Sequence, residues 1–248
     1  MPDSHGTPPA RSSAPVSKPL IDSRSVQALL VLLSFIAGST DVISFLGLDG
    51  LFTAHITGNL VILAAHVVVH DPATIAPMLS VPVFIIVIIL TRVVAGRLES
   101  MGVATLRPLL LLQFILIAGF LALCIAAGPR IDPTGTNAII AGMLGVAAMA
   151  VQNALVQFSV RGAPSTAAMT SNVTRFAMDI GELWSGNNPG AVAEARQNVF
   201  RILPVIIGFA AGCAIGAFAE ASFGMRSLAL PAALALGAYA LGFAAQDR

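Results

Sequence analysis

Six stretches of the chain are continuously apolar over about the length of a membrane crossing: roughly residues 26–46, 75–95, 107–127, 136–160, 199–219 and 227–245. About 20 residues at 1.5 Å rise cross a hydrocarbon core about 30 Å thick. The runs are rich in Ala, Leu and Ile and lack period-two alternation, so they predict helices rather than a β-barrel. Two further segments, about 51–70 and 164–184, are ambiguous. The first could just span; the second carries Arg175, Asp179 and Glu182 and makes a poor spanning helix. Both open on the same polar pattern. Thr53-Ala-His-Ile-Thr57-Gly58-Asn59 returns as Thr166-Ala-Ala-Met-Thr170-Ser171-Asn172, at a constant offset of 113 residues (166 − 53, 170 − 57 and 172 − 59). Matched polar breaks in an apolar chain point to a site between duplicated halves.

The duplication extends weakly beyond that pattern. Val81-Pro82-Val83 resembles Leu203-Pro204-Val205, and Ser39-Thr40-Asp41 lies where the second half has Gln152-Asn153. The chain therefore divides into pseudo-repeats of about 25–130 and 131–248, after a tail of residues 1–24 that is rich in Pro and Ser, has no apolar core and is expected to be disordered on the cytoplasmic side.

Composition moves the picture from apolar helices to lipid. Hydrophobic residues make up 56% and charged residues 10%, with a mean hydropathy of +0.88, against about 25% charged in ordinary globular chains. Too few charges remain to cover a soluble surface, so the bilayer is the expected partner. A net charge of +1 offers no basic face and excludes a nucleic-acid binder. Cys124 and Cys213 sit inside apolar runs, where packing is the plain role.

The basic residues decide how the two ambiguous segments are threaded. If both re-enter on the side they came from, the cytoplasm receives Arg11, Lys18, Arg24, Arg92, Arg97, Arg107, Arg161, Arg175, Arg196, Arg201 and Arg248, and only Arg130 and Arg226 lie outside, a split of 11 to 2. If both span, the split is 8 to 5. The positive-inside rule favours re-entry. The expected fold is an all-α membrane protein of about six transmembrane helices plus two re-entrant half-helices in an inverted repeat, with both termini in the cytoplasm. Three spans per half invert the second half relative to the first, so the two breaks face each other near the midplane.

Polar residues inside such a chain are candidates for chemistry. Asp41 lies deep in the first run, where an isolated ionised carboxylate costs on the order of 2.5–3.5 kcal/mol. It is read either as a proton-coupling group or as a cap on re-entrant backbone. Helix is expected from near Thr57 to about His70, with Thr57 and Asn59 capping its start or binding a ligand and Gly58 allowing close backbone approach. Thr170, Ser171 and Asn172 occupy the mirrored start. Two helix N-termini facing one site suit an anion or carboxylate, so Thr53, His55, Thr57, Gly58, Asn59, Gln152, Asn153, Thr166, Thr170, Ser171 and Asn172 form the candidate substrate-binding set. The alternative is that they only satisfy broken backbone.

Arg175 and Asp179 stand four residues apart on one helical face and are expected to pair, as a solvated salt bridge or a gate. His66 and His70 have metal-ligand spacing, but no third ligand is evident beyond Asp71, so no metal is expected. Residues 185–198 read as a polar cytoplasmic loop, and Gly142, Gly145, Gly208, Gly212 and Gly216 suit close helix packing. No phosphate-binding, nucleophile-elbow, zinc-protease or dinucleotide motif occurs, so neither a cofactor nor an enzymatic activity is expected.

Ala37-Gly38-Ser-Thr-Asp41-Val-Ile-Ser-Phe45-Leu-Gly47 and Phe52-Thr-Ala-His-Ile-Thr57-Gly58-Asn59, with Gln152-Asn153-Ala154 and Thr166 to Asn172, resemble the YoaK-like family of bacterial membrane proteins over about residues 25–245. Ser171 stands where that family's pattern would have Gly. The family is classed as a domain of unknown function, so the resemblance implies a bacterial inner-membrane protein and little chemistry. The leading reading is a secondary transporter or channel for a small molecule or ion, more anionic than not. The rivals are a non-transporting scaffold or sensor and an intramembrane enzyme using Asp41 and His55. Substrate and oligomeric state, a homo-oligomer included, stay open.

Overall fold

A computed structural model describes residues 24–70, 75–128, 131–160, 162–186 and 188–246. Residues 1–23 of the expected tail, Lys18 among them, and Asp71, Arg130, Arg161 and Arg248 lie outside them, while Arg24 already begins the first helix. The described residues form eight α-helices and no strand: α1 (Arg24–Gly47), α2 (Ile56–Val69), α3 (Ile75–Ser100), α4 (Leu106–Ala127), α5 (Thr136–Ser159), α6 (Met169–Ser185), α7 (Pro189–Phe223) and α8 (Ala229–Gln246), with a 3-10 turn at Gly224–Leu228 between the last two. Five stretches are long and apolar enough to cross a membrane: α1, α3, α4, α5, and the run from Pro189 to Phe243 that holds α7, the 3-10 turn and most of α8.

α1 and α5 form the centre. Buried residues make up 67% and 72% of their apolar windows, against 17% for α3. Outward-facing Ile85, Ile86, Ile89 and Leu90 leave α3 with the uniformly greasy exterior that lipid requires. The packing partners obey the duplication. α1 packs on α7 as α5 packs on α3, α2 on α3 as α6 on α7, and α4 on α5 as α8 on α1; α4 also packs on α8. Substituting each helix of the first half by its equivalent in the second reproduces the same set of neighbours. Pro82 and Pro204, matched in sequence, both lie inside helices, α3 and α7.

The tightest seam joins α1 to α7. Gly208, Gly212 and Gly216 recur every four residues along α7 and meet Val31, Phe35 and Ser39, which recur every four along α1. A methyl group on Gly208 would lie 2.9 Å from the Val31 carbonyl oxygen, and one on Gly216 would lie 2.9 Å from Ser39 Cα. Gly38 reciprocates against the Phe209 carbonyl. Without side chains at these positions the backbones touch, which is how helices gain dispersion energy when lipid offers no hydrophobic drive. Gly142 and Gly145 serve differently: they leave room for the side chains of Leu51, Thr53 and Phe120.

One expectation is overturned. Residues 189–198 are not a loop; they begin α7, a helix of 35 residues. Asn188 caps it, its side chain accepting from the Gly190 N–H at 2.9 Å, and Pro189 occupies the first turn, where its fixed φ fits and its missing N–H costs nothing. The polar composition of this stretch reflects an exposed helical extension.

Candidate functional site

Each copy of the pattern lies at a break where one helix ends and another starts. In the first, α1 ends at Gly47, and Asp49 and Gly50 take left-handed backbone with φ of 52° and 85°. Residues 51–55 run without regular structure, and α2 begins at Ile56. Buried side chains take up the freed backbone groups. Ser44 Oγ donates to the Leu51 carbonyl at 2.9 Å. Asp41, 3% exposed, accepts at Oδ1 from the N–H groups of Thr53 and Ala54, both at 2.7 Å, and from the Thr53 hydroxyl at 3.3 Å. Its Oδ2 stands 2.6 Å from His55 Nδ1. Both carboxylate oxygens are thereby engaged. The His55 ring is fixed further by Phe52 and by Phe209 of α7, with centroids 5.8 and 5.5 Å away.

Asn59 closes the loop from inside α2. Its Oδ1 accepts from the Phe52 N–H at 2.9 Å, and its Nδ2 donates to the Phe52 carbonyl at 2.7 Å and to Ser80 Oγ of α3 at 2.8 Å. In the second half Asn172 Nδ2 donates to the Ser165 carbonyl at 2.6 Å. The Asn therefore reaches back seven residues in both copies (59 − 52 and 172 − 165), so the sequence repeat is a geometric repeat.

The two halves differ at the next step. Thr166 is held by an amide where Thr53 is held by a carboxylate: Gln152 Nε2 donates to Thr166 Oγ1 at 2.9 Å and to the Leu33 carbonyl at 3.0 Å. Gln113 Nε2 donates in turn to Gln152 Oε1 at 2.7 Å. Ser165 Oγ accepts from the N–H groups of Ala167 and Ala168 at 3.3 and 2.8 Å, the latter being the residue where the first half has His55. The ionisable pair belongs to the first half alone.

Between the starts of α2 and α6 lies an open cavity of about 870 Å3. His55 and Thr57 line it from the first break, Thr170, Ser171, Arg175 and Asp179 from the second, Asn153 from α5, and Phe84 and Ile88 from α3. A smaller cavity of about 370 Å3 lies beside α6, walled by Ser165, Thr166, Asn172 and Gly162, and it shares Asn153, Gln157, Ser171 and Arg175 with the larger one.

The expected site residues thus separate into two groups. His55, Thr57, Asn153, Thr166, Thr170, Ser171, Asn172, Arg175 and Asp179 face one cavity or the other. Asp41, Thr53, Asn59 and Gln152 are buried framework. Thr57 and Asn59 do not cap α2: its N-cap is His55, with no side-chain cap, because Asn59 is committed to Phe52. A Cβ on Gly58 would meet the Phe52 ring at 2.9 Å, so this glycine makes room for a side chain rather than for backbone. Arg175 and Asp179 form no ion pair; among the described residues those within 4 Å are Asp41–His55 and Arg92–Glu99. His66 and His70 end α2, and no cluster of three metal-ligating side chains occurs among the described residues. Buried polar residues that escaped the sequence reading include Gln113, Ser80 and Ser44. Gln113 was visible as an amide within the apolar run 107–127; Ser80 carried no signal beyond its nearness to Pro82.

A family model described as "Protein of unknown function (DUF1275)" matches residues 29–241. The chain belongs to the DUF1275 family. That span contains both breaks and every helix from most of α1 to most of α8, and the YoaK-like resemblance is consistent with it. No curated protein and no solved structure matches the chain. Membership in DUF1275 brings no ligand, so the chemistry rests on the cavity.

Proposed function

We propose that the protein is a secondary transporter or channel of the bacterial inner membrane for a small solute that carries an anionic group, held between the starts of α2 and α6. The observation that carries this reading is a cavity whose wall is drawn from both copies of the doubled pattern, His55 and Thr57 on one side and Thr170 and Ser171 on the other. Six helices cross the bilayer in this reading (α1, α3, α4, α5, α7 and α8), while α2 and α6 re-enter. α2 has 14 residues, which at 1.5 Å each reach about 21 Å, short of a full crossing. The exchange of neighbours between the halves supports a repeat, three spans per half would invert it, and solute sites in such folds lie at broken helices near the midplane. Asp41 and His55 form the proton-coupling unit: the ring reaches the cavity, and the buried carboxylate holds it there.

Reconstitution tests it. Wild-type proteoliposomes challenged with small organic and inorganic anions are expected to carry a pH-dependent flux. Asp41→Asn is expected to abolish the pH dependence while the protein remains folded; an unchanged flux would remove Asp41 from coupling. Thr57→Val with Thr170→Val is expected to raise the half-saturating solute concentration about tenfold, as loss of one hydrogen bond on each side would.

Threading is checked separately, in a background lacking Cys124 and Cys213. Single cysteines at Arg97 and Arg196 fall on the cytoplasmic side in the six-span fold and on opposite sides if α2 and α6 span. Labelling by an impermeant maleimide from one face only reads the difference.

A scaffold reading has its own support, since Asp41, Asn59 and Asn172 all hydrogen-bond broken backbone and Gln152 holds the Thr166 hydroxyl beside it. It forecasts no flux for any solute. An enzyme would need a nucleophile on the His55 ring, and among the described residues that ring hydrogen-bonds Asp41 alone.

A further inference from the structure

Arg175 and Asp179 stand one turn apart on α6, four residues or about 6 Å of rise. An Arg–Asp pair at this spacing ordinarily meets on the helix surface. Here it does not. Among the described residues Arg175 makes no ion pair, and Asp179 Oδ2, closed to solvent, has no hydrogen-bond partner. Both line the larger cavity, and only Arg175 reaches the smaller one as well. Residues of opposite charge thus line the same cavity from one helix without pairing. The facing wall includes Phe84 and Ile88, which offer neither charge nor hydrogen bond.

An unsatisfied buried carboxylate oxygen is costly, and a ligand that supplies the missing donor removes that cost. A solute with an anionic group alone would engage Arg175 and leave Asp179 repelling it. A solute with an ammonium alone would do the reverse. We propose that the cavity binds an amphipathic zwitterion, its carboxylate or phosphate oxygens on Arg175, its ammonium on Asp179 and its apolar body against Phe84 and Ile88. This rests on the reading of that cavity as the solute site and adds the positive group that a simple anion lacks. At about 870 Å3 the space lies within the range of small-molecule pockets, about 300–1,000 Å3, and well above what an inorganic anion needs.

Two sources share this chemistry, a free hydrophobic amino acid and the head of phosphatidylethanolamine. Binding of radiolabelled leucine to the full chain in phosphatidylglycerol nanodiscs separates them. For a free amino acid, leucine is expected to bind about tenfold more tightly than 4-methylpentanoate, which lacks the ammonium, or 3-methylbutylamine, which lacks the carboxylate. Asp179→Asn should erase the preference over the acid, and Arg175→Gln the preference over the amine. For the lipid, leucine is silent, and phosphatidylethanolamine raises the melting temperature over phosphatidylglycerol in the wild type but in neither variant. Either pattern supports the zwitterion. The inference falls if 4-methylpentanoate binds as well as leucine, if both variants keep wild-type leucine affinity, or if neither leucine nor phosphatidylethanolamine has an effect. Its failure is distinguishable from that of the transport reading. Leucine bound but never moved across proteoliposomes defeats transport and leaves the zwitterion, while chloride flux without any response to leucine or phosphatidylethanolamine does the opposite.

Discussion

Asp41→Ala is expected to lower the melting temperature of the detergent-purified protein far more than Asp41→Asn, and His55→Ala is expected to lie between them. The carboxylate is the single acceptor for the Thr53 and Ala54 N–H groups, and it holds the His55 ring. Alanine leaves two backbone donors unpaired at a buried position, each costing about 1–3 kcal/mol, so the total falls at about 3–5 kcal/mol. Asparagine keeps one oxygen for the two N–H groups, and its amide can donate to Nδ1 of a His55 protonated on Nε2. That leaves a loss of about 1 kcal/mol. Thermal unfolding followed by circular dichroism provides the measurement. Equal losses for alanine and asparagine would mean that the hydrogen bonds to the 53–54 backbone do not hold this break.

Gly212→Val is expected to abolish recovery of folded protein, with a larger effect than any other single change along α7. The site faces the Phe35 backbone of α1, which cannot move aside as a flexible side-chain tip would. Two γ-methyls there push apart the seam between a central helix and its main neighbour, and overpacking a tight contact costs about 1–3 kcal/mol even where neighbours relax. Gly237→Val is the control, because a Cβ there meets nothing within 4 Å. Monodispersity on size-exclusion chromatography separates the two. A monodisperse Gly212→Val at wild-type yield would show that α1 and α7 are not bound by backbone contact.

Much of this was legible in the chain because helices in lipid announce themselves by length and apolarity. The 113-residue repeat was legible for a sharper reason: the same Asn, seven residues past the same loop position, performs the same closure twice. What escaped depended on distance in space. Nothing in the spacing of Asp41 and His55 says that a carboxylate near the end of one helix will reach the start of the next; the left-handed turn at Asp49 and Gly50 sets that. The expected Arg175–Asp179 pair rested on helix geometry alone, and the cavity, which gives each side chain another direction, is tertiary. Residues 189–198 read as loop because polarity was taken for irregularity, although Asn188-Pro189 is a helix-start signal. Gln113 was passed over because its partner, Gln152, lies 39 positions away.

The two shortest α-helices beside the cavity, α2 and α6, bury few residues. α2 buries one of its residues, Asn59, and α6 buries two, Met169 and Asn172. Cooperative units of a fold open in the order of how little they bury. These segments are therefore the first to detach while the bundle around α1 and α5 stays intact. Their release requires undoing a few amide hydrogen bonds at their starts and their packing on α3 and α7. The elements that wall the cavity are also the ones most easily swung away from it, so an occupant could enter by undoing Asn59 or Asn172 without disturbing the core.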